Sequence, residues 1–134
     1  MGRSGYSDDC DNDWQMIMYR GAVASAFRGR RGQAFLKEML AALDALPEPK
    51  LIAGELVEQD GAVCAMGAVA KARGIDVTGV HPENIETVAA MMNVAEAMAR
   101  EIAWENDQDW SYTNETPEAR FQRMRAWVVS EIKE

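Results

Sequence analysis

Between Gly32 and Pro47, Phe35, Leu36, Met39, Leu40, Leu43 and Leu46 recur every three or four positions, and Pro47 and Pro49 close the run. Apolar residues with that period form one broad stripe along an α-helix. Proline lacks the backbone donor and crowds the preceding turn, so the helix stops there. A helix of this kind is held mainly by what covers its stripe, so the chain must pack further elements against it.

Those elements are also helical in pattern. Asp11 or Asp13 can cap a first helix, in which Trp14, Ile17, Met18, Ala22 and Ala26 recur at helical spacing. Gly29 and Gly32 interrupt that helix or mark its end. His81-Pro82-Glu83 opens a further helix, with proline at a favourable first position and Ile85, Val88, Ala89 and Met92 on its apolar face. Asn93 is a short break before a helix carrying Val94, Ala95, Met98, Ile102 and Ala103, with Trp104 assigned to the core. Residues 105–116 read as a polar, acidic loop. Thr116-Pro117-Glu118 then starts a final helix, with threonine as cap, proline in the first turn and glutamate favouring the dipole. Phe121, Met124, Val128 and Ile132 are its buried row.

Residues 51–73 support two readings. Asp60-Gly61 is a two-residue hairpin signal between LIAGELVE and AVCAM. AVCAMGAVAKAR is also an Ala-rich helix ending at Gly74. The preferred reading is an extended segment over 51–57 and a helix from about 62 to 73, with a short β-hairpin near 51–66 as the variant. The expected fold is mainly α: a single compact multi-helix domain over 11–134, preceded by a flexible tail at residues 1–10.

The chain has 134 residues, enough for one domain, and 48% of them are hydrophobic, with Ala and Met prominent. That balance favours helix over sheet. No run of about 18 apolar residues is present, so no membrane span is expected. The first residues lack the apolar stretch of a secretory signal, and the two cysteines, Cys10 and Cys64, are far apart. Reduced thiols in the cytoplasm follow from that reading.

The formal net charge is −8. Such a balance opposes general nucleic-acid binding and suits docking on a basic protein surface. Arg20, Arg28, Arg30, Arg31 and Lys37 run against it. The plain account of this cluster is a solvated turn whose arginines pair with nearby carboxylates. It is also a candidate nucleic-acid contact, or a seam for the protein's own acidic face in a homodimer.

Catalytic and metal motifs fail on inspection. Asp8-Asp9-Cys10-Asp11-Asn12-Asp13 starts like a calcium loop, but Trp14 stands where glycine is needed and Arg20 where a bidentate glutamate is needed. Gly29-Arg30-Arg31-Gly32 is not a phosphate loop. Residues 83–105 have a helix-turn-helix outline, but Glu96, Glu101 and Glu105 outnumber Arg100 on the second helix, so two packed core helices are the better reading. The single histidine, His81, precedes a proline and reads as a turn or cap residue. Cys64 lies among Ala and Met and reads as a buried small hydrophobe. No catalytic residue, cofactor or metal ligand is assigned.

The segments RGAVASAFRGRRGQAFLKEMLAALDALP, DGAVCAMGAVAKARGID, WEND and TPEARFQRMRAWV resemble small uncharacterised proteins encoded by tailed bacteriophages and prophages. The resemblance implies a phage accessory protein acting in a bacterial cytoplasm, of the kind that inhibits host systems. The function expected is a small acidic, non-enzymatic binding protein that occupies a basic surface of a host nucleic-acid-processing or defence complex, anti-CRISPR-like or anti-restriction-like. Its partner-binding residues are Glu105, Asp107 and Asp109 for charge and Trp110 and Tyr112 as aromatic anchors. Arg28, Arg30 and Arg31 carry the alternative, a nucleic-acid-binding phage regulator. A small enzyme is the third reading, and would need a polar pocket near His81 or Cys64.

Overall fold

The computed structural model describes residues 13–107 and 115–133. Among them the chain forms α1 (Asp13–Arg28), α2 (Arg30–Asp44), α3 (Ala65–Arg73), α4 (Ile85–Met92), α5 (Glu96–Asp107) and α6 (Pro117–Glu131). The fold is mainly α, as the periodicities indicate. The expected tail, residues 1–10, lies outside the described residues.

α1 and α2 meet at Gly29, which is the extended N-cap of α2, and the Gly29 amide donates to the Ser25 carbonyl. Gly29 therefore ends the first helix as expected. Gly32 does not: it lies inside α2, where an added Cβ would collide with the Ala26 carbonyl. Its small size lets two helix backbones touch. Gln33 fastens this joint, donating through Nε2 to the carbonyls of Phe27 (2.6 Å) and Glu131 (3.0 Å) and accepting from the Lys133 amide.

The α2 stripe packs against α3 and α6. Phe35, Leu36, Met39, Ala42 and Leu43 are buried, and Leu40 and Leu46 are partly so. After Pro47 and Pro49 the chain leaves helix, and the expected extended segment over 51–57 is bent at residues 53, 54 and 56. The Ile52 amide donates to the Val63 carbonyl and the Cys64 amide to Leu56, while Val57 and Val63 form an isolated antiparallel bridge around the turn at Gly61 (φ +91°). The hairpin variant is thus reduced to one bridge. Its pairing at Val63 delays α3 to Ala65, later than the expected start near 62.

Cys64 caps α3, its Sγ accepting from the Gly67 amide at 3.4 Å, and Gly74 closes the helix in the left-handed region (φ +74°). The expected opening of α4 at His81-Pro82-Glu83 is corrected. Asn84 is the cap, its side chain accepting from the Thr87 amide, and the helix begins at Ile85. His81 Nδ1 accepts from the Glu83 amide and makes a turn ahead of it. Asn93 ends α4 with φ +60°, as the expected break. α6 opens as the sequence indicates, with Thr116 Oγ1 accepting from the Ala119 amide at 3.0 Å.

α5 runs through the middle, packed against α1, α3, α4 and α6. Met98, Ala99 and Ile102 face the core, so α5 is a packed core helix rather than a groove-reading one. It extends to Asp107, so Glu105 and Asp107 are helical rather than loop residues. Trp104, expected in the core, is half-buried. The position the sequence reading missed is Asn106, only 1% exposed. Its Oδ1 accepts from the Ala65 amide, its Nδ2 donates to the Ile52 carbonyl, and its own carbonyl accepts from Arg120 and Arg123. A buried amide with every group bonded locks α3, the 51–63 segment, α5 and α6 together.

Candidate interaction surface

The outward face of α1 is the main departure from the expected arrangement. The core side of this helix is made by Tyr19 and Phe27, with Val23 and Ala26 partly buried. Tyr19 donates through its hydroxyl to Glu101 Oε1 on α5 at 3.2 Å, and Phe27 meets Trp127 of α6 edge-on at 5.6 Å. Of the expected stripe, only Ala26 joins that side. Trp14, Ile17 and Met18 are 64%, 61% and 56% exposed, and Ala22 is exposed beyond them. Both sides of α1 carry apolar residues, and the side with Tyr19 and Phe27 is the one packed against α5 and α6.

Along the outward face Trp14, Met18, Gly21, Ser25 and Arg28 alternate steps of four and three residues, with Ile17 and Ala22 beside them. That is the spacing of a two-helix seam. The row changes character along its length, from bulky at Trp14, Ile17 and Met18 to small at Gly21, Ala22 and Ser25.

The row ends in the basic cluster. Arg20, Arg28, Arg30, Arg31 and Lys37 are all exposed. Among the described residues no carboxylate lies within ion-pair distance of them. Four arginines elsewhere are paired: Arg73 with Glu38 (2.6 Å), Arg125 with Asp44 (2.7 Å), Arg123 with Glu115 (2.6 Å) and Arg120 with Glu115 (3.3 Å). Arg30 and Arg31 line a shallow cleft with Val94, Ala95 and Met98, which places them at the start of α5.

The acidic residues collect at the other end of α5. Its twelve residues rise about 18 Å. Asp107 is exposed and accepts through Oδ1 from the Gly54 amide, next to the exposed Glu55, Glu58 and Asp60. The Glu105 carbonyl accepts from Arg123 at 2.7 Å. Hydrogen bonding to Arg123 holds the Glu115 carboxyl below its ordinary value against the opposing effect of burial, and the charges of Arg123 and Arg120 act in the same direction. Glu105 and Asp107 therefore have structural duties as well as surface charge. Asp109, Trp110 and Tyr112 lie outside the described residues. The structure does not bring Glu105 and Asp107 to the same end as Arg28, Arg30 and Arg31; the two sets bracket α5.

Cys64 is buried, and burial pushes its thiol up to about 11. The space beside it, lined by Leu56, Met66 and Val88 with Glu55, Asn106 and Asp107, holds about 10 Å³. His81 is exposed in its turn. Among the described residues, no group of three or more His, Cys, Asp or Glu side chains is placed to hold a metal ion, and no helix is long and apolar enough to cross a membrane.

No protein-family model, curated protein or solved structure matches the chain.

Proposed function

We propose that this chain is a non-enzymatic binding protein whose contact face is the outward side of α1. One observation carries the reading: Ile17 and Met18 are more than half exposed on a helix whose opposite side is well packed. Large apolar side chains gathered on one exposed stripe mark interaction sites. The arginines at the end of that stripe supply orientation and encounter rate. An accessory protein that blocks a host complex, as the phage resemblance implies, belongs to this class.

A second reading keeps the acidic end as the contact. It is favoured by the way Asp107 joins the exposed Glu55, Glu58 and Asp60 into one negative surface, suited to a basic partner.

Photo-crosslinking in bacterial cells separates the two. A photoreactive residue at Ile17 should yield a covalent adduct, while one at Gln122 on α6 should not. An adduct from Glu58 with none from Ile17 transfers the function to the acidic end. Absence of adducts from both overturns the binding reading.

A further inference from the structure

We infer that the cleft where α1, α2 and α5 meet takes an acidic side chain of a partner protein, carried on a short segment with an aliphatic residue beside it. The inference rests on the reading of α1 as the contact face and names the partner's chemistry at the end of that face.

Two kinds of side chain line this cleft of about 220 Å³. Arg30 and Arg31, consecutive and exposed, bring positive charge, and Ala26, Val94, Ala95 and Met98 bring apolar surface. A guanidinium is a fork of donors that fits a carboxylate through two parallel hydrogen bonds. This protein uses that fit internally elsewhere. Arg73 grips Glu38 through two nitrogens, each at 2.6 Å, and Arg125 grips Asp44 at 2.7 and 3.0 Å. Arg30 and Arg31 have no such carboxylate: none lies within ion-pair distance of them among the described residues, Glu96 at the start of α5 included. α2 supplies no negative charge of its own here, since Gly29 gives no side-chain cap and the first turn holds no acid. The positive end of the helix dipole therefore adds to the two arginines.

The rest of the cleft selects the kind of anion. Its volume of about 220 Å³ is below the ~300–1,000 Å³ of pockets that enclose small-molecule ligands and cofactors. Among the described residues no aromatic ring lines it, so nucleic-acid bases have no surface to stack on. The formal net charge of −8 opposes a phosphate backbone as well. The aliphatic lining suits an aliphatic side chain, and the thioether of Met98 adapts to its shape. Ser25 belongs both to the cleft and to the outward row of α1, so the two form one continuous contact surface.

Fluorescence anisotropy with the full chain tests the inference. The probe is a short labelled peptide of alternating glutamate and leucine. Its controls are the same peptide with glutamine for glutamate, the same peptide with serine for leucine, and an oligothymidylate of matching charge. The glutamate–leucine peptide should bind saturably, and each control should bind at least about tenfold more weakly. Arg30→Glu/Arg31→Glu should lower the affinity at least about tenfold, and so should Ser25→Trp, which fills the mouth of the cleft without changing charge. Lys37→Glu/Lys71→Glu, the same charge change at two exposed residues outside the cleft, should shift it less than about twofold at 0.15 M salt, where distant exposed charges are screened. Circular dichroism confirms that each variant is folded. A wild type that leaves the peptide unbound overturns the inference, as does an equal loss in the lysine variant, which would make the attraction one of net charge. Undiminished binding by the serine peptide removes the aliphatic half. An oligothymidylate that binds more tightly than the peptide, and is lost in the arginine variant, overturns the acidic peptide in favour of nucleic acid. An unbound peptide alongside an Ile17 adduct sinks the cleft and leaves the α1 reading standing. A bound peptide with no Ile17 adduct sinks the α1 reading and leaves the cleft.

Discussion

α1 and α2 are consecutive helices joined through Gly29, and both display an apolar stripe in the sequence. In α2 the stripe is the buried face, and Leu36 and Met39 have no exposed surface. In α1 most of the stripe faces outward. The difference lies on the opposite sides of the two helices. Behind the α2 stripe stand Arg31, Lys37 and Ala41, which are exposed, so that helix has one side to bury. Behind the α1 stripe stand Tyr19, Val23 and Phe27, a second apolar side. Periodicity therefore states that a face is apolar. Which face enters the core is a competition between areas.

The ion pairs follow the same division. α2 spends its carboxylates internally, Glu38 on Arg73 and Asp44 on Arg125, whereas the arginines at the end of α1 have no such partner among the described residues. Arg73 also lies over the Phe35 ring at 5.6 Å, so the α2–α3 contact combines charge with packing.

The largest expected contrast is apolar truncation on the two helices. Leu36→Ala should cost about 3 kcal/mol, from lost burial and the cavity left behind. Ile17→Ala should cost less than about 0.5 kcal/mol in the single chain, since an exposed side chain loses little on removal. Urea denaturation in dilute solution compares them, and equal costs would break the distinction between the helices.

The two helix-interior glycines give a smaller contrast with opposite signs. Gly32→Ala should destabilise by about 1–3 kcal/mol, because backbone cannot yield to its Cβ. Gly21→Ala should stabilise the single chain by about 0.5–1 kcal/mol, because the site is open and alanine restricts the unfolded chain. Thermal melts of both variants settle the signs.

The smallest effect concerns acid. Hydrogen bonding to Arg73 lowers the Glu38 carboxyl from its ordinary 4.5, against the weaker opposing effect of burial. A folded-state value below the unfolded one stabilises fully above pH of about 4.5 and loses that contribution as pH falls through the folded value. Glu38→Gln should therefore flatten the acid limb of stability against pH. Arg28→Gln should leave the limb as it is, because no described carboxylate lies within ion-pair distance. Melting temperatures measured between neutral pH and the acid transition read out both.

Local chemistry was the most legible part of the chain. Thr116-Pro117 starts α6, Gly74 and Asn93 stop their helices, and Cys64 is a buried small side chain, each for reasons contained within four residues. Pro82 misled because Asn84, three residues ahead of Thr87, is the stronger cap and the proline was left in a turn. Asn106 gave no signal at all. A polar residue in WEND reads as surface, and its burial follows from open backbone groups at Ala65 and Ile52, distant in sequence. The basic cluster was visible from composition. Its separation from Asp107 along α5 was not.

The sequence by itself determined the mainly helical class, the stripe of α2, the start of α6 and the presence of a basic run in an acidic chain. Those properties depend on neighbours within a turn or two, where backbone and side-chain geometry is nearly the same in any fold. Only the tertiary structure decided which side of α1 is buried, where Asn106 sits, and that the two charged sets lie at opposite ends of α5. Those outcomes depend on which distant surfaces compete for the same core, and that competition has no local record in the chain.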